Sequence, residues 1–164
     1  MSPKIKTLLG RCGDIERCVA FKVYGKPVGK GRPRYTSAGG FGRMYTPRAT
    51  RDYERTVADE YKRAGGWVME KPVMVTIMQA FPIPKGASKK EAQLMREYQI
   101  VPSCKPDIDN VVKAVLDGLN GVAYRDDTQV VAVVSEKCYA DNPCVEVVVE
   151  ELSAEFRRRA RNEY

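Results

Sequence analysis

Asp107-Ile108-Asp109-Asn110-Val111-Val112-Lys113-Ala114-Val115-Leu116-Asp117-Gly118-Leu119, closed by Asn120-Gly121, is the stretch on which the fold turns. On a helical wheel Ile108, Val112, Val115, Leu116 and Leu119 share one face, with Val111 at its edge, so the spacing predicts a helix with one apolar side. Asp109, Lys113 and Asp117 recur at i, i+4 and i+8 as a polar flank beside that face. Asp107 follows Pro106 and takes the N-cap position. Tyr124-Arg125-Asp126-Asp127-Thr128-Gln129 comes next and opens a β-rich run from Gln129 to Tyr139. A helix followed by an adjacent strand can bring the two acidic starts together in space.

Working outward, Glu16 to Tyr24 ends in alternation and β-formers and predicts the first strand. Gly25 to Pro47 holds six Gly and three Pro, the composition of a long loop, and long ordered loops in compact domains are usually functional. Thr46 as N-cap and Pro47 in the first turn open a helix that runs to about Arg63 and stops at Ala64-Gly65-Gly66. Its Tyr53, Val57 and Tyr61 fall on one side, toward a core. Val73 to Phe81 is a second strand, ended by Pro82-Ile83-Pro84. Ser88 to about Arg96 forms a short helix with Ser88 as N-cap and Glu91 as its capping-box partner. Gln129 to Tyr139 and Cys144 to Glu150, joined by Ala140-Asp141-Asn142-Pro143, predict an antiparallel hairpin, and Ser153 to Arg161 a terminal helix. The order implies an α+β domain, a small mixed sheet of about four strands with packed helices. The first two strands are expected parallel or separated, the last two antiparallel neighbours. Residues 1–17 are expected to form a flexible arm, and residues 18–164 one domain.

Composition bounds the function. The chain has 164 residues, with 28 Lys and Arg against 21 Asp and Glu, a net charge of +7 and no histidine. A chain this basic suggests a polyanionic partner. The missing histidine excludes Ser-His-Asp and Cys-His catalysis, imidazole metal sites and a histidine general base. The five cysteines, an odd number without a C-x-x-C pair, argue against a disulfide framework or a four-thiolate zinc site and for reduced thiols in a cytosolic protein. No apolar run approaches the roughly 20 residues that span a bilayer, and the charged N-terminus does not read as a secretory signal.

Carboxylates gathered near phosphate are repelled unless a hard cation lies between them, and Mg²⁺ binds carboxylate and phosphate oxygens together. An acidic kernel in a basic body therefore points to metal-assisted phosphodiester chemistry. Each piece alone has an ordinary explanation. Asp107 could simply cap a helix, Asp109 and Lys113 could be a surface pair, and Asp126-Asp127 could make a turn. Their combination within 21 residues favours the chemical reading. The second piece is the basic loop, where Lys26, Lys30, Arg32, Arg34 and Arg43 interleave with Tyr35, Phe41 and Tyr45, and Arg48, Arg51 and Arg55 continue onto the next helix. Cations and aromatics on glycine-rich backbone suit a nucleic-acid backbone and unpaired bases. The Gly25 to Lys30 segment is one residue short of a P-loop and has Gly31 where Ser or Thr should follow.

Lys105-Pro106-Asp107-Ile108-Asp109-Asn110-Val111-Val112-Lys113, with Asp126-Asp127-Thr128-Gln129-Val130-Val131 before a strand, resembles the RusA family of Holliday junction resolvases, phage and prophage endodeoxyribonucleases. The Gly29-Lys30-Gly31-Arg32-Pro33-Arg34 loop and Tyr45-Thr46-Pro47 resemble its longer phage branch. The resemblance implies a small α+β homodimer, with no membrane association, that cuts four-way DNA junctions symmetrically in the cytoplasm of a bacterial or phage-infected cell. It also implies a need for Mg²⁺, with Mn²⁺ as a possible substitute. It assigns Asp107, Asp109 and Asp127 as essential carboxylates and metal ligands, Asp126 as a neighbouring ligand, and Lys113 as an essential lysine. Lys30, Arg32, Arg34, Arg43, Arg48 and Arg51 are the expected DNA contacts. A non-catalytic junction- or single-strand-binding protein, and a flap or nicking nuclease, remain as alternatives.

Overall fold

The structure, a computed structural model, describes residues 15–32, 34–36 and 42–153. In chain order the elements are β1 (Ile15–Tyr24), β2 (Arg34–Thr36), β3 (Arg43–Tyr45), α1 (Arg48–Arg63), β4 (Val73–Pro82), α2 (Lys89–Arg96), α3 (Ile108–Leu119), β5 (Val130–Ala140) and β6 (Cys144–Leu152), with a single 3-10 turn at Asp127–Gln129 before β5. This is the expected α+β architecture around a four-stranded mixed sheet.

The sheet order is β1-β6-β4-β5. β1 runs antiparallel to β6, β6 antiparallel to β4, and β4 parallel to β5. The first two long strands are thus separated, as expected, but β5 and β6 are not the hairpin that their closeness in sequence implies. β4 lies between them, and residues 141–143 carry the chain past its end, where Pro82 stands opposite Ala140 and Ala80 opposite Cys144. The physical reason is in β4 itself. Val73, Met74, Val75 and Ile77 are buried in succession, so both faces of the strand need cover, and such a strand belongs in the middle of a sheet. β5 has Val131 and Val133 exposed and takes the edge.

α1 and α3 cover one face of the sheet. Tyr53, Val57 and Tyr61 of α1 are buried, as their spacing predicts, and Phe21 meets Tyr61 edge to face at 5.7 Å between ring centroids. The two helices touch at Gly118, where a Cβ would stand 2.7 Å from the Glu54 carbonyl oxygen and 2.9 Å from the Val57 Cβ. This contact turns α3 from the expected orientation. Val111, Ala114, Val115, Gly118 and Leu119 are its buried residues, and Ile108 is exposed, because the helix is wedged between the sheet and α1.

Three local expectations shift. Residues 25–47 contain a hairpin, β2 pairing antiparallel with β3 through Tyr35 opposite Met44. Its β-formers, Tyr35, Thr36 and Tyr45, are diluted by glycine and proline in the sequence. Pro47, not Thr46, is the N-cap of α1, since its ψ of 142° is still extended, and its carbonyl accepts from the Thr50 and Arg51 N–H groups at 3.1 and 3.2 Å. β1 begins at Ile15, inside the expected arm, of which residues 1–14 lie outside the described part. The expected terminal helix lies outside it from residue 154 onward. The Ser88–Glu91 capping box forms in both directions. Cys138 and Cys144 are buried free thiols, Cys18 and Cys104 exposed ones, and Cys12 is outside the described residues. Among the described residues no helix is long and apolar enough to cross a membrane.

Candidate functional site

The two acidic pairs separate once their hydrogen bonds are known. Asp107 occupies the N-cap position of α3, with ψ at 151°, yet its side chain bonds no helix N–H. Asp109 follows in the first turn. Both are exposed, as is Lys113. Among the described residues Asp109 and Lys113 form no ion pair, although helical spacing would allow one. Asp126 behaves otherwise. Its carboxylate accepts from the Thr128 N–H at 2.9 Å, while the Gln129 side-chain oxygen accepts from the Arg125 and Asp126 N–H groups at 2.8 and 3.4 Å. The Thr128 bonds hold the Asp126 carboxyl below its ordinary range. Asp126 therefore builds the turn, and Asp127 is the exposed residue that the turn presents. Tyr124 lies beneath, its hydroxyl donating to the Leu116 carbonyl at 2.8 Å. Burial pushes this phenol well up, and the charges of Asp127 and Asp117 add to the shift.

Two residues not identified from the sequence fasten the start of α3. Lys137 on β5 donates to the Cys104 and Pro106 carbonyls, both at 2.7 Å, with its ammonium 5.1 Å from the Phe81 ring centroid. Gln79 on β4 is wholly buried, and its Nε2 donates to the Ile108 carbonyl at 3.1 Å and to Ser135 Oγ at 3.0 Å. Gln79 Oε1 is buried without a hydrogen-bond partner among the described residues. The signal that could have found Gln79 is a lone amide in an otherwise apolar central strand, since buried polar groups are placed to make bonds.

The basic loop is laid against this helix. Gly29 passes so close that a Cβ would stand 2.8 Å from Pro106 Cβ and 3.1 Å from Asn110 Cβ. The Lys30 N–H donates to the Asn110 carbonyl at 2.8 Å, and the Gly31 N–H to Thr50 Oγ1 at 3.0 Å. The Lys30 ammonium donates to Glu54 Oε1 at 2.9 Å and to Asp117. Burial works against its charge, but the Asp117 and Glu54 carboxylates outweigh it and the pKa is raised. The Lys30 charge is thus already answered within the fold. Arg32 is exposed on the wall of an open cleft of about 630 Å³, lined by Gly29, Lys30, Arg32, Lys105, Pro106, Asp107 and Asn110. Arg48 and Arg51 are exposed at the start of α1, Arg48 within 3.4 Å of Asp52. Arg34 opens β2 and Arg43 opens β3.

Among the described residues no three His, Cys, Asp or Glu side chains gather closely enough to hold a metal ion by themselves. The donor chemistry nonetheless suits a hard cation, because Asp107, Asp109 and Asp127 offer carboxylate oxygens that no described ion pair occupies. Mg²⁺ usually takes only one or two protein carboxylates and completes its shell with water and substrate phosphate, so the residues fit such an ion without a closed cage.

With this geometry in place, comparison with known proteins is informative. The Endodeoxyribonuclease RusA family matches residues 24–150. The chain belongs to this family. A relative from Bacillus subtilis (strain 168), named "Uncharacterized protein YqaN", is 37% identical over 142 residues, which are 84% of this chain and 99% of that protein. Membership makes the chain an endodeoxyribonuclease by family, and the matched residues span the cleft, α3 and the Asp126-Asp127 turn.

Proposed function

We propose that this RusA-family chain resolves four-way (Holliday) junctions as a Mg²⁺-dependent homodimer, by paired symmetric nicks in DNA recombination and repair, in the cytoplasm. The observation that carries the proposal is the cleft that sets Arg32 and Lys105 on the same walls as Asp107. A groove with cations for phosphate and an uncommitted carboxylate for a metal suits phosphodiester cleavage. The alternative of a pure binding module needs Asp107 to cap and Asp109 to pair with Lys113, and the described residues do neither.

Asp107, Asp109 and Asp127 would hold Mg²⁺, with Mn²⁺ as a substitute, and Asp126 shapes the turn that presents Asp127. Bound there, the ion would activate water and offset charge on the scissile phosphate. Lys113 Nζ, one helical turn from Asp109, would meet charge developing on the phosphate or give a proton to the leaving oxygen. Arg32, Arg34, Arg43, Arg48 and Arg51 would hold DNA strands, and Lys30 would set the loop that carries the first of them. The dimer reading is supported by the outer edge of β5, which pairs only with β4 among the described strands and exposes Val131 and Val133. Open apolar edges are pairing surfaces, and two-fold symmetry gives one site for each of two opposed strands.

The test is cleavage of a labelled mobile four-way junction with Mg²⁺ and with EDTA, beside a linear duplex. Paired nicks should require both metal and Asp109, while Asp107→Asn, Asp109→Asn and Asp127→Asn should retain junction binding. Tight junction binding without cuts in Mg²⁺ or Mn²⁺ would refute the nuclease reading in favour of a binding module.

A further inference from the structure

Residues 26–51 contain seven of the 28 Lys and Arg and none of the 21 Asp and Glu, so the rest of the chain, with 28 less 7 basic residues, balances at 21 against 21. The whole net charge resides in one segment, and the β2–β3 hairpin stands inside it. This hairpin is a separate two-stranded sheet, not a part of the main one. Tyr35 and Met44 are directly opposite each other across it, so they share a face. They are 68% and 67% exposed, and neither makes a ring contact or side-chain hydrogen bond with another described residue. A side chain at Gly42 would run into the Tyr35 ring, so glycine there leaves room for the ring to lie along the hairpin.

Two large apolar side chains set side by side in water mark an interaction surface. The surrounding charge selects the partner: Lys30 and Arg48 are answered by carboxylates elsewhere in the fold, but the segment has no acid of its own to offset its other cations, and these attract phosphate. A flat phenol among such cations stacks on any base whose face is open. Position agrees with this. Tyr35 is three residues from Arg32, which lines the cleft beside Asp107, and three residues of extended chain reach at most about 11 Å. At about 3.4 Å per nucleotide along one strand, that distance is roughly three base steps.

We propose that the β2–β3 hairpin is a base-stacking element, in which Tyr35, backed by Met44, stacks on unpaired bases at the DNA branch point beside the cleft. The proposal rests on the reading of the chain as a branched-DNA nuclease. The test places 5-iododeoxyuridine at the branch point, or in mid-arm, of a four-way junction held by the full-length Asp109→Asn protein. Irradiation should crosslink the branch-point base to Tyr35, identified by peptide mass, and leave the mid-arm base unlinked. In the native protein Tyr35→Ala should weaken junction binding about 5- to 150-fold while leaving linear-duplex binding unchanged, and Tyr35→Phe should restore it. Met44→Ala, a second exposed position, should weaken junction binding in the same direction. Equal losses on junction and duplex, no loss at all, or crosslinks that do not prefer the branch point would overturn the hairpin's role while junction cleavage by the native protein stands. A native protein that neither binds nor cuts junctions would overturn the hairpin's role together with the reading beneath it.

Discussion

Gln79→Leu should separate stability from catalysis. Gln79 is wholly buried on the central strand and ties the first carbonyl of α3 to the sheet. The substitution removes two hydrogen bonds, to Ile108 and Ser135, each contributing about 1 kcal/mol net. It also removes Oε1, a buried acceptor without a described partner, and relieving such a group returns about 1–3 kcal/mol. Ser135 is not orphaned, because its hydroxyl still donates to the Ile77 carbonyl at 3.1 Å. Leucine is close to glutamine in volume, so the two effects nearly cancel. Stability should change by no more than about 1 kcal/mol, or roughly 2–4 °C in Tm for a chain of this size. Catalysis should not be spared. Without Gln79 the start of α3 loses its tie to β4, and Asp107 and Asp109 lie on either side of the residue released. A displacement of about 1 Å in a reacting group costs about 100-fold in rate. Single-turnover cleavage of a labelled junction should therefore slow by about 10- to 100-fold, with the junction Kd unchanged. A native cleavage rate at native Tm would show that Gln79 positions nothing, and a Tm fall beyond about 8 °C would assign it to the core alone.

The contact between the two helices gives a second prediction. Gly118→Ala improves helix propensity by about 1 kcal/mol, but its Cβ meets the Glu54 carbonyl, which is backbone and cannot turn aside. Overpacking of this kind costs about 1–3 kcal/mol, so Tm should fall, and a rise in Tm would refute the close approach. The Lys30 clamp gives a third. Lys30→Met removes hydrogen bonds between an ammonium and two carboxylates, each contributing about 1.5–3 kcal/mol. Because the folded pKa of Lys30 is raised above its ordinary 10.5, its contribution is complete below that pH and is lost as the pH rises through the folded value. Thermal melts of native and Lys30→Met protein should differ at neutral pH and converge only above pH 10.5. Identical melts at neutral pH would show that the clamp does not hold the loop.

What the sequence revealed were features governed by near neighbours. The Ser88–Glu91 box, the buried side of α1 and the placement of Asp107 at a helix start all depend on residues within two turns. The pairing of β5 was misjudged because three connecting residues look like a hairpin, whereas the partner is decided by a strand some fifty residues earlier. The sign was present in β4, whose unbroken run from Val73 to Met78 is apolar on both faces except at Thr76 and therefore asks for a neighbour on each side. The carboxylate partners of Lys30 were illegible for the same reason. In sequence it is one of a row of loop cations, and only the fold brings it to Glu54 and Asp117, 24 and 87 residues away. The different fates of Asp126 and Asp127 were nearer the surface of the text, since Asp126 and Gln129 have capping-box spacing.

The acidic residues of the site can be sorted by what already binds them. Asp117 is tied to Lys30, and Asp126 to the turn it caps. Asp107, Asp109 and Asp127 form no ion pair among the described residues, and Asp127 shares a hydrogen bond only with the side chain of its neighbour Asp126. A carboxylate at an N-cap that makes no cap bond forgoes the stabilisation its position offers, and an Asp four residues before a Lys on a helix that makes no pair does the same. Those uncommitted carboxylates lie in a chain whose whole excess of positive charge is gathered in one segment, residues 26–51. Phosphate drawn in by that segment would meet the carboxylate of Asp107 across a single cleft, and like charges there can be reconciled only by a cation between them. On the proposed reading, a metal would arrive with the DNA and be shared between protein and substrate, with water and phosphate completing its shell.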